Sequence, residues 1–149
     1  MLLDTILAGY SALFAAAFVA ATILPAQSEM VLSGLLVSGS YDPVMLILVA
    51  TLGNVLGSTV NWALGRFFSH YRDTRWFPIK SVQIDKAERW FARFGPAVLL
   101  LSWVPIIGDP LTLVAGLLKM RLMPFLLIVT LAKAGRYIIL ALVVLGIVQ

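Results

Sequence analysis

The sequence predicts an all-α integral membrane protein. Two opposed re-entrant helical hairpins, two spanning helices and an amphipathic interfacial helix are expected in an inverted-repeat arrangement. Three observations lead there. Hydrophobic residues make up 61% of the 149 residues and charged residues 12%, with a mean hydropathy of +1.00, the composition of a chain solvated by lipid. Two apolar stretches each carry a proline-marked break with a carboxylate at its centre. The basic residues gather in one central segment and near the ends of apolar stretches, where the positive-inside rule puts them.

The clearest break lies in Phe94–Leu118, where Pro105-Ile-Ile-Gly108-Asp109-Pro110 interrupts an apolar run. Pro105 and Pro110 lack an amide N–H and crowd the preceding turn. Irregular backbone at membrane depth is tolerated only where protein buries it or where it lines a wet cavity. The stretch therefore reads as a helix going in, a break at Gly108-Asp109, and a helix going out.

The first stretch has the same plan. Thr5–Ser28 is uncharged and contains Leu24-Pro25-Ala-Gln-Ser28, followed by Glu29 and the apolar Met30–Gly39. That second arm falls short of the about 20 helical residues a span needs. A hairpin with Glu29 near its tip is expected, with Ser28 as a helix cap and Glu29 in the first turn, where the helix dipole favours an anion.

Asp42 and Pro43 suit the N-cap and first position of the next helix. From Val44 to Gly65, residues Ala50, Gly53, Asn54, Gly57, Ser58, Asn61 and Gly65 recur at threes and fours. Such a stripe of small and amide residues is foremost a packing face. Asn54 and Asn61 are in addition candidates for lining a cavity.

The segment Arg66–Arg93 holds seven of the eleven basic residues and the single histidine, His70, which reads as a solvated loop residue. Within it, Ile84, Ala87, Phe91 and Phe94 keep helical spacing between charged residues. This is an amphipathic helix suited to the interface, with Trp90 at headgroup level. Lys119 and Arg121 precede the last span, Leu122–Val148, in which Lys133 and Arg136 lie near the midpoint. Ionisable residues inside a membrane are site candidates by default. Their expected partners are Glu29 and Asp109, the candidates for proton or ion coupling. A purely structural set of ion pairs is weighed equally with that reading.

If Phe94–Leu118 enters and leaves on one side, both basic loops are cytoplasmic, as the positive-inside rule prefers. A single domain, 1–149, then comprises a hairpin at 5–40, a span at 43–66, a loop and amphipathic helix at 67–94, a hairpin at 95–118 and a span at 122–148. Inverted repeats with broken helices are a pattern of secondary transporters. Two full spans leave room for a small homo-oligomer. The chain has no cysteine, so disulfides and thiolate metal sites are ruled out. No metal or cofactor site is read from the sequence, and the net charge of +4 is not a nucleic-acid signal. Met1-Leu-Leu-Asp4 lacks the basic region of a cleaved signal peptide.

Four stretches then resemble the bacterial DedA family of membrane proteins (the VTT domain), most closely its short YqaA-like branch. They are Leu24-Pro-Ala-Gln-Ser-Glu29; Gly53-Asn-Val-Leu-Gly57 through Leu64-Gly-Arg66; Trp90-Phe-Ala-Arg-Phe-Gly95 with Trp103-Val-Pro-Ile-Ile-Gly-Asp109 and Ala115-Gly116; and Lys133-Ala-Gly-Arg-Tyr137. The resemblance implies two opposed re-entrant hairpins and a place in lipid homeostasis in the bacterial inner membrane. It further implies flippase- or scramblase-like movement of a lipid or polyprenyl-phosphate-type anion, coupled to protons. The family's second hairpin carries arginines where this chain has Ser102 and Gly108/Asp109. Lys133 and Arg136 are expected to supply that positive charge, Glu29 or Asp109 the protonatable group, and Ser102 part of the cavity lining. Pro25, Pro105, Gly108 and Pro110 mark the hairpin breaks.

The alternative is a structural or assembly protein without transport. A remote one is an intramembrane aspartyl protease, because Tyr41-Asp42 and Gly108-Asp109 superficially resemble its two aspartates. Asp42 is better explained as a cap, and no Ser-His hydrolase motif is present. The chain is accordingly read as no enzyme.

Overall fold

The computed structural model describes residues 1–22, 27–71, 73–76, 80–104 and 107–149. Their regular secondary structure is all helical, without a strand among the described residues. Six α-helices are formed: α1 (Leu2–Ala20), α2 (Gln27–Ser38), α3 (Pro43–Phe67), α4 (Ser81–Phe94), α5 (Gly108–Leu117) and α6 (Leu122–Val148). Two 3₁₀ segments, Ser69–Tyr71 and Gly95–Trp103, join them. Three helices are long and apolar enough to cross a membrane: α1, α3 and α6. The sequence reading counted two full spans and took the α1 region as a hairpin arm. At 19 residues, α1 runs to about 28 Å, close to the thickness of a bilayer core.

Helix α3 begins as its residues dictate. Asp42 accepts a 3.0 Å hydrogen bond from the Met45 amide, and Pro43 takes the first position, where no amide is needed. Its two faces are unlike. Leu48, Leu52 and Leu56 recur every fourth residue and are exposed, whereas Ala50, Gly53, Asn54, Gly57, Ser58, Asn61 and Gly65 are buried. This inverts the pattern of a water-soluble helix and suits one whose solvent is lipid. The apolar window of α3 is 44% buried, against 11% for α1 and 17% for α6, so α3 is the most enclosed of the three.

The chain divides into two compact units, Met1–Gly57 with Lys133–Gln149, and Ser58–Ala132. In the first, α2 folds back on α1, and the first half of α3 packs on α1 through glycines. A β-carbon at Gly53 would stand 2.6 Å from the Phe14 carbonyl oxygen, and one at Gly57 2.5 Å from that of Phe18. Leu13, Ala17, Leu32, Leu36, Leu46, Ala50, Tyr137 and Ala141 form the apolar core of this unit.

In the second unit, α3 and α5 cross just as closely. A β-carbon at Gly65 would collide with the Leu113 carbonyl, and one at Gly116 with that of Trp62. The Trp62 indole N–H donates to the Met120 carbonyl at 3.0 Å, and its ring packs on Phe125. Helix α4 buries Ile84, Ala87 and Phe91, as its spacing predicts, and leaves Phe94 exposed. His70 is exposed, as expected of a loop residue.

The inbound arm at Gly95–Trp103 is 3₁₀ rather than α-helical, and the outbound arm α5 is ten residues long. Neither arm has the length of a span. Gly108-Asp109, expected from the sequence to be the break, is already helical, because Gly108 starts α5. Pro110 is therefore in a first turn, where its missing amide costs no hydrogen bond. Gly108 is required for a different reason, since a β-carbon there would collide with the Ser102 carbonyl. The other proposed break residues, Pro25 and Pro105, lie outside the described residues.

Candidate functional site

In the first unit, charge and hydrogen bonding converge where α2 begins. Glu29 sits in the first turn of α2, as the sequence suggests. Arg136 of α6 reaches it with Nε at 2.8 Å and Nη2 at 2.5 Å, both on Oε1. The arginine side chain is 8% exposed and the carboxylate 35%. The cation is thus nearly desolvated while its counter-ion remains reachable from outside the protein. A buried guanidinium is tolerated only when paired in this way. Glu29 with Arg136 is one of the expected acid–base partnerships, and the structure forms it.

A second chain of hydrogen bonds runs beside the pair. The Asn54 amide nitrogen donates to the Ala17 carbonyl at 3.2 Å and to the Tyr137 hydroxyl at 3.0 Å. Tyr137 in turn donates to the Ser28 hydroxyl at 3.0 Å. Ser28 was expected to cap α2. It lies instead inside the helix, which starts at Gln27, and its buried hydroxyl serves Tyr137. The adjacent residue pairs Ser28–Glu29 and Arg136–Tyr137 thus meet at two points, one ionic and one neutral. Sequence reasoning missed Tyr137 and gave Ser28 only a capping role. The available signal was the step from Lys133 to Arg136 and Tyr137, which puts all three on one helical face.

Lys133 is buried, at 2% exposure, one turn before Arg136. Asn54 is also buried, and its Oδ1 has no hydrogen-bond partner among the described residues. An acceptor left open in this way is unusual in a folded interior.

In the second unit, Asp109 is half-buried in the first turn of α5. Thr112, fully buried, donates to the Asp109 carbonyl at 2.8 Å and accepts from the Asn61 amide at 3.4 Å. Ser102 is fully buried, and its hydroxyl has no partner among the described residues. Asn61 and Ser102 are therefore interior polar groups. Asp42, weighed above as a protease aspartate, is exposed and engaged in capping α3. Among the described residues, no three His, Asp or Glu side chains converge as a metal site.

Comparison with known proteins decides the family. The model of the VTT domain matches residues 24–146. The chain belongs to the VTT domain family. This VTT-domain protein is 43% identical over 129 residues to the inner membrane protein YqaA of Escherichia coli, covering 87% of this chain and 86% of that one. It is 32% identical to an alkaline phosphatase-like protein of Lactococcus lactis, over 72% of this chain and 56% of that one. It is 25% identical to undecaprenyl phosphate transporter A of Staphylococcus aureus, over 80% of this chain and 64% of that one. No solved structure gives a significant match. Close similarity to an inner membrane protein, together with three membrane-capable helices, makes this VTT-domain chain a multi-pass protein of the bacterial inner membrane.

Proposed function

We propose that this VTT-domain protein translocates an amphiphilic anion, of the lipid or polyprenyl-phosphate kind, across the inner membrane. The observation that carries the reading is the Arg136–Glu29 pair, in which a nearly buried cation is balanced by a carboxylate that stays accessible. A phosphate ester can take the place of that carboxylate, because guanidinium binds both through the same donors. Lys133, one turn away on α6, adds a second positive charge. Protonation of Glu29 removes its attraction for Arg136 and frees the guanidinium for the substrate. Deprotonation restores the pair and expels the anion. One proton is then linked to each transfer, with Asp109 as a second protonatable group. The printed name of the Staphylococcus aureus relative, an undecaprenyl phosphate transporter, supports the substrate class.

In this reading α1 with α2, and Gly95–Trp103 with α5, are two re-entrant hairpins. The repeated order supports it. Each pair of arms is followed by a long helix, α3 and then α6, and in each the second arm opens with a carboxylate in its first turn. Short arms with their helix N-termini at a carboxylate are a transporter device for holding ions.

The test is flux of a polyprenyl phosphate in proteoliposomes, read at several pH values. The wild-type protein moves the lipid, Arg136→Gln lowers the rate at least tenfold, and Glu29→Gln abolishes the pH dependence. If Arg136→Gln and Lys133→Gln both retain full flux, anion capture at these cations is wrong. If Glu29→Gln and Asp109→Asn both leave flux and its pH dependence unchanged, proton coupling is wrong. A structural role has one observation in its favour, since the same ion pair ties α2 to α6. It predicts no flux for any polyprenyl or phospholipid substrate and a loss of folded protein on breaking the pair.

A further inference from the structure

Helix α4 carries a feature that the transport reading does not use. Where α4 meets the start of α5, a cavity of about 150 Å³ is lined by Gln83, Lys86 and Trp90 on one side and by Ile107, Pro110 and Leu111 on the other. One wall is therefore an amide, an ammonium and an indole, and the opposite wall is apolar. The Lys86 ammonium lies 5.4 Å from the centre of the Trp90 ring. It has no carboxylate within ion-pair distance among the described residues. Arg89 and Arg93 follow at three and seven residues, so they share the exposed face of Lys86.

These observations fit one ligand chemistry. A lysine ammonium held over an indole beside an apolar cavity wall is complementary to a negative group attached to hydrocarbon. Tryptophan at a membrane interface marks the headgroup level, and amphipathic helices with basic faces bind anionic lipid surfaces. The cavity has room for roughly five water volumes. That suits a headgroup and the first methylenes but not a whole lipid, so the rest of the chain would remain in the bilayer. Lysine binds phosphate as a point charge, without demanding bidentate geometry.

We propose that the α4–α5 cavity is a binding site for an acidic phospholipid, with its phosphate on Lys86, its headgroup against Gln83 and Trp90, and its first methylenes on Ile107, Pro110 and Leu111. Arg136 is not among the residues that line this cavity, and the proposal does not depend on whether the protein transports anything.

The test is titration calorimetry on the full-length protein in a neutral detergent, with short-chain phosphatidylglycerol and phosphatidylcholine of equal chain length. Phosphatidylglycerol binds at least tenfold more tightly to the wild type. Lys86→Gln lowers that preference to below threefold, and Ile107→Trp, which fills the cavity from its rim, removes binding with Lys86 intact. Lys80→Gln, a charge change outside the cavity, leaves the affinity unchanged. Circular dichroism identifies any variant that is not folded. The proposal is overturned if the wild type does not distinguish the two lipids, or if folded Lys86→Gln and Ile107→Trp both bind phosphatidylglycerol as the wild type does. It is also overturned if glycerol phosphate displaces the lipid at equal concentration, since the ligand is then a soluble phosphate.

Discussion

Arg136 grips Glu29 through two nitrogens on a single carboxylate oxygen, at 2.8 and 2.5 Å, with the arginine almost wholly buried and the glutamate one-third exposed. The asymmetry matters. Loss of Glu29 strands a desolvated guanidinium, whereas loss of Arg136 leaves a carboxylate that is already one-third exposed.

Glu29→Gln is therefore the costlier substitution. Removing one partner of a fully buried pair costs about 3–5 kcal/mol, and the partial exposure of Glu29 reduces this to about 1–3 kcal/mol. Arg136→Gln, which leaves the partly exposed acid, costs less. Denaturant unfolding in detergent of both variants and of the double variant gives the coupling. Equal losses for the two single variants would contradict the asymmetry.

Tyr137→Phe removes the hydroxyl that accepts from Asn54 and donates to Ser28. The ring still fills the core beside Leu13 and Leu32, so the loss isolates hydrogen bonding, about 1–3 kcal/mol with buried partners left unsatisfied. A double-mutant cycle with Ser28→Ala should show coupling. Strict additivity would mean that the two hydroxyls do not interact.

The glycines of α3 are contact residues. Gly57→Ala puts a methyl 2.5 Å from the Phe18 carbonyl oxygen and 2.6 Å from the Ala21 β-carbon, an overpacking that costs about 1–3 kcal/mol. Gly34→Ala on α2 meets nothing within 4 Å and should be neutral or stabilising by up to about 1 kcal/mol, from helix propensity alone. Thermal unfolding of the pair separates packing from backbone entropy.

Helix α5 closes with a Schellman turn, in which the Met120 amide donates to the Ala115 carbonyl and the Lys119 amide to that of Gly116, at 3.0 and 2.9 Å. Lys119 occupies the left-handed position at φ 56°, which usually belongs to glycine. Lys119→Gly should stabilise the fold by about 1 kcal/mol, because the steric cost of a left-handed side chain disappears. A loss of stability would mean that the Lys119 side chain contributes more than its backbone strain costs.

Met120 reports topology. The chain has no cysteine, so Met120→Cys is a single probe for impermeant thiol reagents, and the Trp62 indole holds only its backbone carbonyl. Labelling from the cytoplasmic side alone is the outcome of a re-entrant second hairpin. Labelling from the outside means that Gly95–Leu117 crosses the membrane, and the inverted repeat then fails.

Much of this was legible in the sequence because it rests on local rules. Asp42-Pro43 starts α3 as a cap and first-turn pair, and the threefold and fourfold spacing of small residues becomes its buried face. Ile84, Ala87 and Phe91 become the buried stripe of α4. Other features are non-local and left no periodic trace. The 3₁₀ winding of Gly95–Trp103, the start of α5 at Gly108 and the close approach of Gly108 to the Ser102 carbonyl are among them. Ser28 looked like a cap because serine at a helix start usually is one, but a tyrosine 109 residues away decided its role.

By itself the sequence determined that the chain is helical and membrane-embedded, where α3 begins, and which four ionisable residues lie in apolar stretches. Composition, spacing and capping act within a few residues, so they can be read along the chain. Only the tertiary structure decided that Glu29 meets Arg136 and that Tyr137 links Asn54 to Ser28. It also decided that α3 presses its glycines against the α1 backbone. Those outcomes come from desolvation, in which each buried charge or polar group must find a partner. Which partner it finds depends on distances in space that one-dimensional spacing does not encode.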